Sequence, residues 1–187
     1  MGNQYSGWRR WLSPWNLATI AILLWLAPRL LPHLGAVVGV ESGGRRSPSY
    51  EVATLTGEAL SPAELRGKVV LVNFWATWCG PCRMEMPALQ AMYERHRGEG
   101  LVLLGLSVDR GGEQVVRDYV RERGVTYPVA IVGPTVEAAF GGVRGYPTSF
   151  LLDRGGVVRH EVIGPLAPAT LELAVRRLLD EPAPNAR

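Results

Sequence analysis

Both cysteines of the chain, Cys79 and Cys82, lie in the stretch WCGPC at residues 78–82. A disulfide that closes so small a ring stabilises a fold by about 2 kcal/mol, so the pair is a poor structural staple. A zinc site would need a second pair of cysteine or histidine ligands, and the three histidines of the chain do not have ligand spacing. The spacing therefore favours a reactive pair, and we predict no metal at this site.

A copper(I) site is the metal alternative to this interpretation. Met84 and Met86 would add soft sulfur ligands to those of Cys79 and Cys82. Methionine in an amphipathic helix is more often part of the hydrophobic core, so we favour the reactive pair.

The predicted strand and helix around the cysteines indicate different chemical roles for the two thiols. The apolar run Val69–Trp75 precedes them, and a helix is predicted to begin beside them, with Pro81 in its first turn. A thiol at a helix N-terminus faces unpaired backbone N–H groups and the positive end of the helix dipole, which favour the thiolate. Cys82, one turn on, is close enough to form a redox disulfide with Cys79 and is expected to be more buried. We therefore expect Cys79 to attack a disulfide of a partner and Cys82 to resolve the mixed disulfide.

Glu85 is a candidate for proton transfer at this pair. It follows Cys82 by three residues on the predicted helix, so it can lie on the same side and reach the sulfurs. A partly buried carboxylate there would shuttle protons and raise the thiol pKa values. The alternative is a solvated glutamate on the helix surface, and spacing alone favours that alternative.

Strand and helix patterns alternate around the cysteine pair. Apolar runs such as Val69–Trp75 and Leu101–Val108 suit strands that are covered on both faces. Ser61–Glu64 has the residues of a helix capping box. Further strands are predicted at 127–132, 148–153 and 157–163, a hairpin at 50–60, and helices at 81–97, 113–123, 134–140 and 168–179. The pattern predicts an α/β domain whose mixed central sheet is flanked by helices.

The N-terminal part of the chain differs from the rest. Arg29 is the only side chain of fixed charge between Trp11 and Val40. The uncharged run Leu17–Ala27 is shorter than the roughly 20 residues that cross a bilayer, so a span must include its neighbours. The predicted divisions are a short tail at 1–14, a transmembrane signal anchor at 15–40, a linker at 41–49, the folded domain at 50–180 and a flexible tail at 181–187. A cleaved signal peptide is the alternative to the anchor.

Composition sets the class of partner. The net charge is only +3, and hydrophobic residues make up 47% of the chain, which is enough for a sizeable core. No basic stripe with interleaved aromatic residues is present in the sequence, so nucleic acid is not an expected partner.

Four stretches of the sequence resemble the thioredoxin-fold thiol–disulfide oxidoreductases of the TlpA/ResA/CcmG (DsbE)-like family. They read TLTGEALSPAELRGK, VVLVNFWATWCGPCRMEMPAL, LLGLSVD and RGYPTSFLLDRGG, and they fall within residues 50–179. WCGPC followed downstream by Tyr-Pro-Thr is the specific part of the match. The resemblance implies a thioredoxin-like fold with an N-terminal hairpin and a central insertion at 111–135. The N-terminal membrane anchor helix that the apolar segment predicts would precede this domain.

The resemblance also implies roles for particular residues. Pro147 would be a cis-proline that faces the cysteine pair, and Tyr146 and Trp78 would bind substrate with it. Glu85 matches an active-site glutamate of the ResA-like branch, which favours a functional role over the surface alternative. Asn73 departs from thioredoxin, which has a buried aspartate there. Glu85 is therefore the only residue that we expect to act as a general base.

The function implied is that of a membrane-anchored thiol–disulfide oxidoreductase. Gly80-Pro81 matches the dipeptide of thioredoxin, at the reducing end of the family range, so we expect a reductant of disulfides in exported proteins such as apocytochrome c or copper-assembly factors. A membrane electron donor of the DsbD or CcdA type would reduce the oxidised enzyme again after each turnover. No cofactor is implied. The expected location is the inner (cytoplasmic) membrane, crossed once, with the catalytic domain on the periplasmic side.

Three alternatives to this function remain at the level of sequence. A disulfide oxidase or isomerase would use the same residues, but its reduction potential would favour the opposite direction of exchange. A copper(I)-binding assembly module would not be an enzyme. A peroxidase would need a peroxidatic cysteine in its own setting, which this paired motif does not provide.

Overall fold

A computed structural model of the protein describes residues 44–183 together with Ile22, Val40 and Glu41. The strands are β1 (Val40–Glu41), β2 (Val52–Ala53), β3 (Ala59–Leu60), β4 (Val69–Trp75), β5 (Leu101–Ser107), β6 (Val129–Ile131), β7 (Thr148–Leu152) and β8 (Val158–Ile163). The α-helices are α1 (Gly80–His96), α2 (Glu113–Glu122), α3 (Pro134–Ala139) and α4 (Pro168–Asp180), and a short 3-10 helix, Arg97–Glu99, follows α1.

The main sheet has six strands in the order β1-β8-β7-β4-β5-β6. Strand β4 pairs in parallel with β5 and antiparallel with β7, so the sheet is mixed, as the sequence predicts. Every residue of β4 is buried, which explains its continuous apolar pattern. Helix α1 packs on β5, and α4 packs on both β4 and α1. Strand β4, in the interior of the sheet, is therefore followed by the short segment 76–78 and then by the cysteine pair.

The predicted strands and helices of the domain are present, with ends that agree to within two residues. The hairpin at 50–60 is also confirmed, as β2 and β3, with Gly57 at a positive φ of 87° in its turn. The hairpin is joined to the main sheet, because Leu55 N donates a hydrogen bond of 2.7 Å to Val129 O.

The capping box at Ser61 forms without the helix that it usually precedes. Glu64 Oε2 accepts hydrogen bonds from Ser61 N at 2.7 Å and from Ser61 Oγ at 2.8 Å. Turns follow instead of a helix, because only a few residues separate this contact from Gly67, at φ 79°, and from the start of β4. The local signal is correct, but the chain has no room to propagate a helix.

Part of the stretch predicted as a linker runs along the sheet. Strand β1 pairs antiparallel with β8. Ser47 N donates to Gly156 O at 2.7 Å, and Val158 N donates to Arg45 O at 2.8 Å. The other predicted boundaries stay predictions.

Most of the predicted anchor at 15–40 lies outside the described residues. Within the described part of the chain, no helix combines the length and the apolar character that a bilayer crossing requires.

Candidate active site

Cys79 is the N-cap residue of α1. Its backbone is extended, with φ −80° and ψ 108°, and its Sγ accepts a hydrogen bond from Cys82 N at 3.3 Å. The two cysteines form a disulfide, and their Cα atoms are 5.3 Å apart. Cys79 is 5% exposed and Cys82 is 1% exposed, so Cys82 is the more buried of the two. On reduction, the Cys79 sulfur would face the free N–H groups of the first helical turn, which stabilise a thiolate.

Asp109 fixes the loop that leads from β4 to Cys79. Its carboxylate accepts hydrogen bonds from Thr77 N at 2.9 Å, from Thr77 Oγ1 at 2.6 Å and from Ser107 Oγ at 2.8 Å. Asp109 is 7% exposed, and Ser107 is fully buried at the end of β5. Sequence reasoning missed this residue. The sequence did contain a signal for it, because an aspartate just after a buried strand needs hydrogen-bond donors for its carboxylate.

A cis peptide bond joins Tyr146 to Pro147, as the resemblance implies. The loop is held by two hydrogen bonds, from Gly164 N to Pro147 O at 2.7 Å and from Thr148 Oγ1 to Gly145 O at 2.7 Å. It lies beside the cysteine pair, because the Tyr146 ring packs edge-on against Trp78, with centroids 5.8 Å apart. Trp78 precedes Cys79 in the chain and is 65% exposed. The structure thus brings together the two aromatic residues and the proline that the sequence predicts for substrate binding.

Tyr146 has a further contact that sequence reasoning missed. Its hydroxyl donates a hydrogen bond to Glu137 Oε1 of α3. Burial and this bond raise the pKa of Tyr146 to about 12, while the charge of Arg110 acts in the opposite direction. The phenol therefore stays protonated at neutral pH and keeps the ring fixed between α3 and Trp78. Nothing in the spacing of Glu137 and Tyr146 indicated this pair.

Glu85 is a buried residue, 7% exposed, so the surface alternative is wrong. Its Oε1 accepts a hydrogen bond of 2.9 Å from Asn73 Nδ2, and its Oε2 accepts one of 3.0 Å from Leu166 N. Asn73 Nδ2 also donates to Ser149 Oγ at 2.9 Å. Burial raises the pKa of Glu85, and the two donors offset only part of that rise. Glu85 and Cys82 share the buried face of α1, one helical turn apart.

The two methionines of the copper alternative lie on different faces of α1. Met84 is 74% exposed, whereas Met86 is 4% exposed and belongs to the core. The general expectation that methionine in an amphipathic helix belongs to the core therefore holds for Met86 but is wrong for Met84. The buried face consists of Cys82, Glu85, Met86, Leu89, Met92 and His96. A single copper ion cannot be bound by both methionines unless the helix unwinds. The main argument for a copper(I) module is therefore removed.

This arrangement can carry out dithiol–disulfide exchange. One sulfur lies at a helix N-terminus that stabilises its anionic form, a second sulfur can close a ring with it, and a carboxylate lies on the same face of the helix. Together with the mixed sheet and the cis-proline loop, the pair defines a thiol–disulfide oxidoreductase with a thioredoxin-like fold.

The chain belongs to the AhpC/TSA family, whose model matches residues 44–161. The thiol-disulfide oxidoreductase ResA of Bacillus thuringiensis (strain Al Hakam) is 34% identical over 136 residues, which cover 72% of this chain and 78% of the relative. The thioredoxin-like protein YneN of Bacillus subtilis (strain 168) is 33% identical over 136 residues, with 72% and 79% covered. The crystal structure of a thiol:disulfide interchange protein of the thioredoxin family from Chlorobium tepidum TLS has a TM-score of 0.66 and 33% identity, and covers 74% of this chain and 99% of its own. The resemblance drawn from the sequence is therefore confirmed, and the protein is an enzyme of the ResA-like type.

Proposed function

We propose that the protein reduces disulfides of exported proteins through the Cys79–Cys82 dithiol. The observation that carries the proposal is the position of Cys79 as N-cap of α1, in a disulfide with the more buried Cys82. The Gly-Pro pair between the cysteines, which thioredoxin shares, favours the reducing direction over an oxidase or isomerase.

The proposed reaction has two exchange steps. The Cys79 thiolate attacks one sulfur of the target disulfide, forming a mixed disulfide and releasing the first target thiolate. The Cys82 thiolate then attacks the Cys79 sulfur, forming the Cys79–Cys82 disulfide and releasing the second target thiolate. Two electrons pass to the target, and the protons lost by the two cysteines end on the two target thiols.

Glu85 would take part in the second step as a proton acceptor for Cys82. It lies one turn further along the same buried face, and its raised pKa brings it closer to the operating pH than that of a surface glutamate. Since Asn73 is a neutral amide, it can position this carboxylate but cannot replace it as a base.

The substrate would bind along the cis-proline loop. Trp78 and Tyr146 form an aromatic wall beside Cys79, and the backbone of Tyr146 just before Pro147 can pair with an extended segment that carries the target disulfide. Apocytochrome c and copper-assembly factors are the targets that the likeness to the ResA-type enzymes favours.

We place the enzyme at the inner membrane, with residues 15–40 as its anchor and the catalytic domain on the periplasmic side. The long apolar N-terminal segment supports this placement. A reductant in an oxidising compartment must be reduced again after each turnover. A membrane electron donor of the DsbD or CcdA type would supply the two electrons.

A trapping experiment tests the proposal. Cys82→Ser keeps the attacking thiol but removes the resolving one, so target proteins should accumulate on Cys79 as mixed disulfides that a reductant releases. The matched control is the Cys79→Ser/Cys82→Ser double variant, which should trap nothing. An absence of trapped proteins on Cys82→Ser would refute the protein-reductase function. A measured reduction potential as high as that of a disulfide oxidase would reverse the direction.

A further inference from the structure

Three arginines are close in the chain to residues of the site, and we call Arg83, Arg110 and Arg144 the basic rim. All three are exposed. Within the described part of the chain, none of them forms an ion pair with a carboxylate. Arg117 and Arg121 of α2 do have such partners, but Arg66 and Arg97 are exposed and also lack them, so it is the position of the rim in the fold that distinguishes it. The rim therefore carries three exposed guanidinium groups that no carboxylate of the described residues pairs with.

The position of each arginine is tied to a residue of the site. Arg83 N donates a hydrogen bond of 3.1 Å to Cys79 O, within the first turn of α1. Arg110 follows Asp109, whose carboxylate holds Thr77, and its charge acts on Tyr146. Arg144 precedes Tyr146 by two residues in the cis-proline loop. The three arginines are thus neighbours in the chain of Cys82, Asp109 and Tyr146, on three separate elements.

The carboxylates near the rim are directed at other groups. Asp109 is bound to Thr77 and Ser107, Glu137 accepts from the Tyr146 hydroxyl, and Glu85 is buried with Asn73. None of the three is used to neutralise an arginine. Asp109 and Glu85 keep their charges but are buried, whereas the three arginines are exposed and can attract an acidic partner. Attraction of this kind raises association rates most at low salt.

We propose that the substrate is a protein segment with carboxylate side chains flanking its disulfide, which the basic rim binds while Cys79 attacks. This inference rests on the proposed reductase function and narrows the class of substrate for it. Guanidinium groups bind carboxylates in bidentate geometry, so the rim adds orientation as well as attraction.

Three synthetic peptides test the substrate class. They share one length and one intramolecular disulfide, and the residues flanking the cysteines are glutamate in the first, glutamine in the second and lysine in the third. The reduced full-length enzyme, in detergent, should show a kcat/KM for the glutamate peptide about tenfold above that for the glutamine peptide at low salt. The lysine peptide should fall below both, and the differences should shrink at high salt.

Substitutions that remove the charges of the basic rim test the same inference on the enzyme. The variant Arg83→Gln/Arg110→Gln/Arg144→Gln should lose the preference for the glutamate peptide and retain turnover of the glutamine peptide. The control Arg46→Gln/Arg66→Gln/Lys68→Gln removes three exposed charges near the opposite end of β4 and should keep the preference. Equal kcat/KM for the three peptides, or a preference that survives in the rim variant, overturns the inference while leaving the reductase function intact. Failure to reduce even the glutamine peptide overturns both.

Discussion

Asn73 of β4 and Glu85 of α1 are joined by a buried hydrogen bond of 2.9 Å from the amide nitrogen to the carboxylate. Together with Leu166 N, this donor allows a carboxylate to remain inside the domain, one turn from Cys82. The bond links the central strand to the helix that carries both sulfurs. Because burial outweighs the two donors, the pKa of Glu85 is raised above its ordinary value of 4.5.

Glu85→Gln should therefore change the pH dependence of the enzyme. A carboxylate accepts a proton only when ionised, so the wild-type exchange rate should rise with pH through the raised pKa of Glu85. The variant should lack this rise and be about 100-fold slower at neutral pH, the lower end of what acid–base catalysis contributes. Stopped-flow measurement of peptide disulfide reduction between about pH 4 and 9 provides the profile, because this range includes the ordinary pKa values of glutamate and cysteine.

Two further measurements separate catalysis from folding at Glu85. Glu94→Gln changes an exposed carboxylate of the same helix and should leave the profile unaltered. Because the folded-state pKa of Glu85 is raised, its ionisation lowers stability as pH rises through that pKa, and Glu85→Gln should remove this part of the pH dependence of unfolding. A variant that retains the wild-type rise in rate would show that Glu85 is not the proton acceptor.

Tyr146 and Glu137 should act as a unit in substrate binding. Tyr146→Phe keeps the ring but removes the hydroxyl that Glu137 holds, so the aromatic wall loses its fixed orientation. KM for a peptide disulfide should rise about fivefold, the equivalent of one hydrogen bond of about 1 kcal/mol, with kcat and the reduction potential unchanged.

A double-mutant cycle checks that coupling. Glu137→Ala should match Tyr146→Phe, and the combined variant should be no worse than either alone. Glu137→Gln, which still offers an oxygen to the hydroxyl, is the mild control. Additive effects on KM would mean that the two residues act separately.

His96 makes the stability of the domain depend on pH near neutrality. Its two ring nitrogens lie 3.0 Å from Glu99 Oε2 and 2.7 Å from Glu172 Oε1. Burial works to lower the pKa of His96, but the hydrogen bonds that its imidazolium donates to Glu172 and Glu99 outweigh this effect, so the pKa is raised above 6.5. The stabilisation by the imidazolium is complete below the unfolded-state pKa of about 6.5 and is lost as pH rises through the folded-state pKa.

Urea unfolding across this pH range measures the effect. The wild-type free energy of unfolding should fall as pH rises from 6.5 through the folded-state pKa of His96, and His96→Gln should flatten this slope. Arg95→Gln removes a half-exposed ion pair with the same Glu172 and should cost less than about 1 kcal/mol without changing the slope. An equal slope in His96→Gln and the wild type would assign the pH dependence to another group.

The fold was predictable because its signals are local. Val69–Trp75 is apolar throughout, and all of it is buried in β4, so the length of the run alone located the strand. The capping box at Ser61 shows the limit of such signals, since its hydrogen bonds form but β4 begins too soon for a helix. Local chemistry predicts an element only where the rest of the chain leaves room for it.

The site was predictable in its cysteines and less so in the residues that hold it together. The motif located Cys79 and Cys82, and the resemblance located Pro147. The burial of Glu85 depends on Leu166, a backbone donor 81 positions away, which no spacing within the helix can indicate. Asp109 binds Thr77, which is 32 positions away, so its role became visible only when the sheet brought the two segments together. Glu137 binds Tyr146, which is only 9 positions away, but one residue lies in α3 and the other in the cis-proline loop, so no helix or strand periodicity relates them.

Among the glycines that the structure describes, Gly105 of β5 is the one where an added methyl group should disturb the core most. A Cβ there would lie 3.0 Å from Tyr127 Cε2, 3.2 Å from Trp75 Nε1 and 3.3 Å from Val129 Cγ2, all of them buried. None of these groups can move far in a packed interior, so Gly105→Ala should lower the free energy of unfolding by about 1–3 kcal/mol. Gly98→Ala is the control, because no atom lies within 4 Å of its added Cβ, and it should change stability by less than about 0.5 kcal/mol. Denaturant unfolding of the two variants decides the matter, and equal midpoints would show that the aromatic residues around β5 can shift to accept the methyl group.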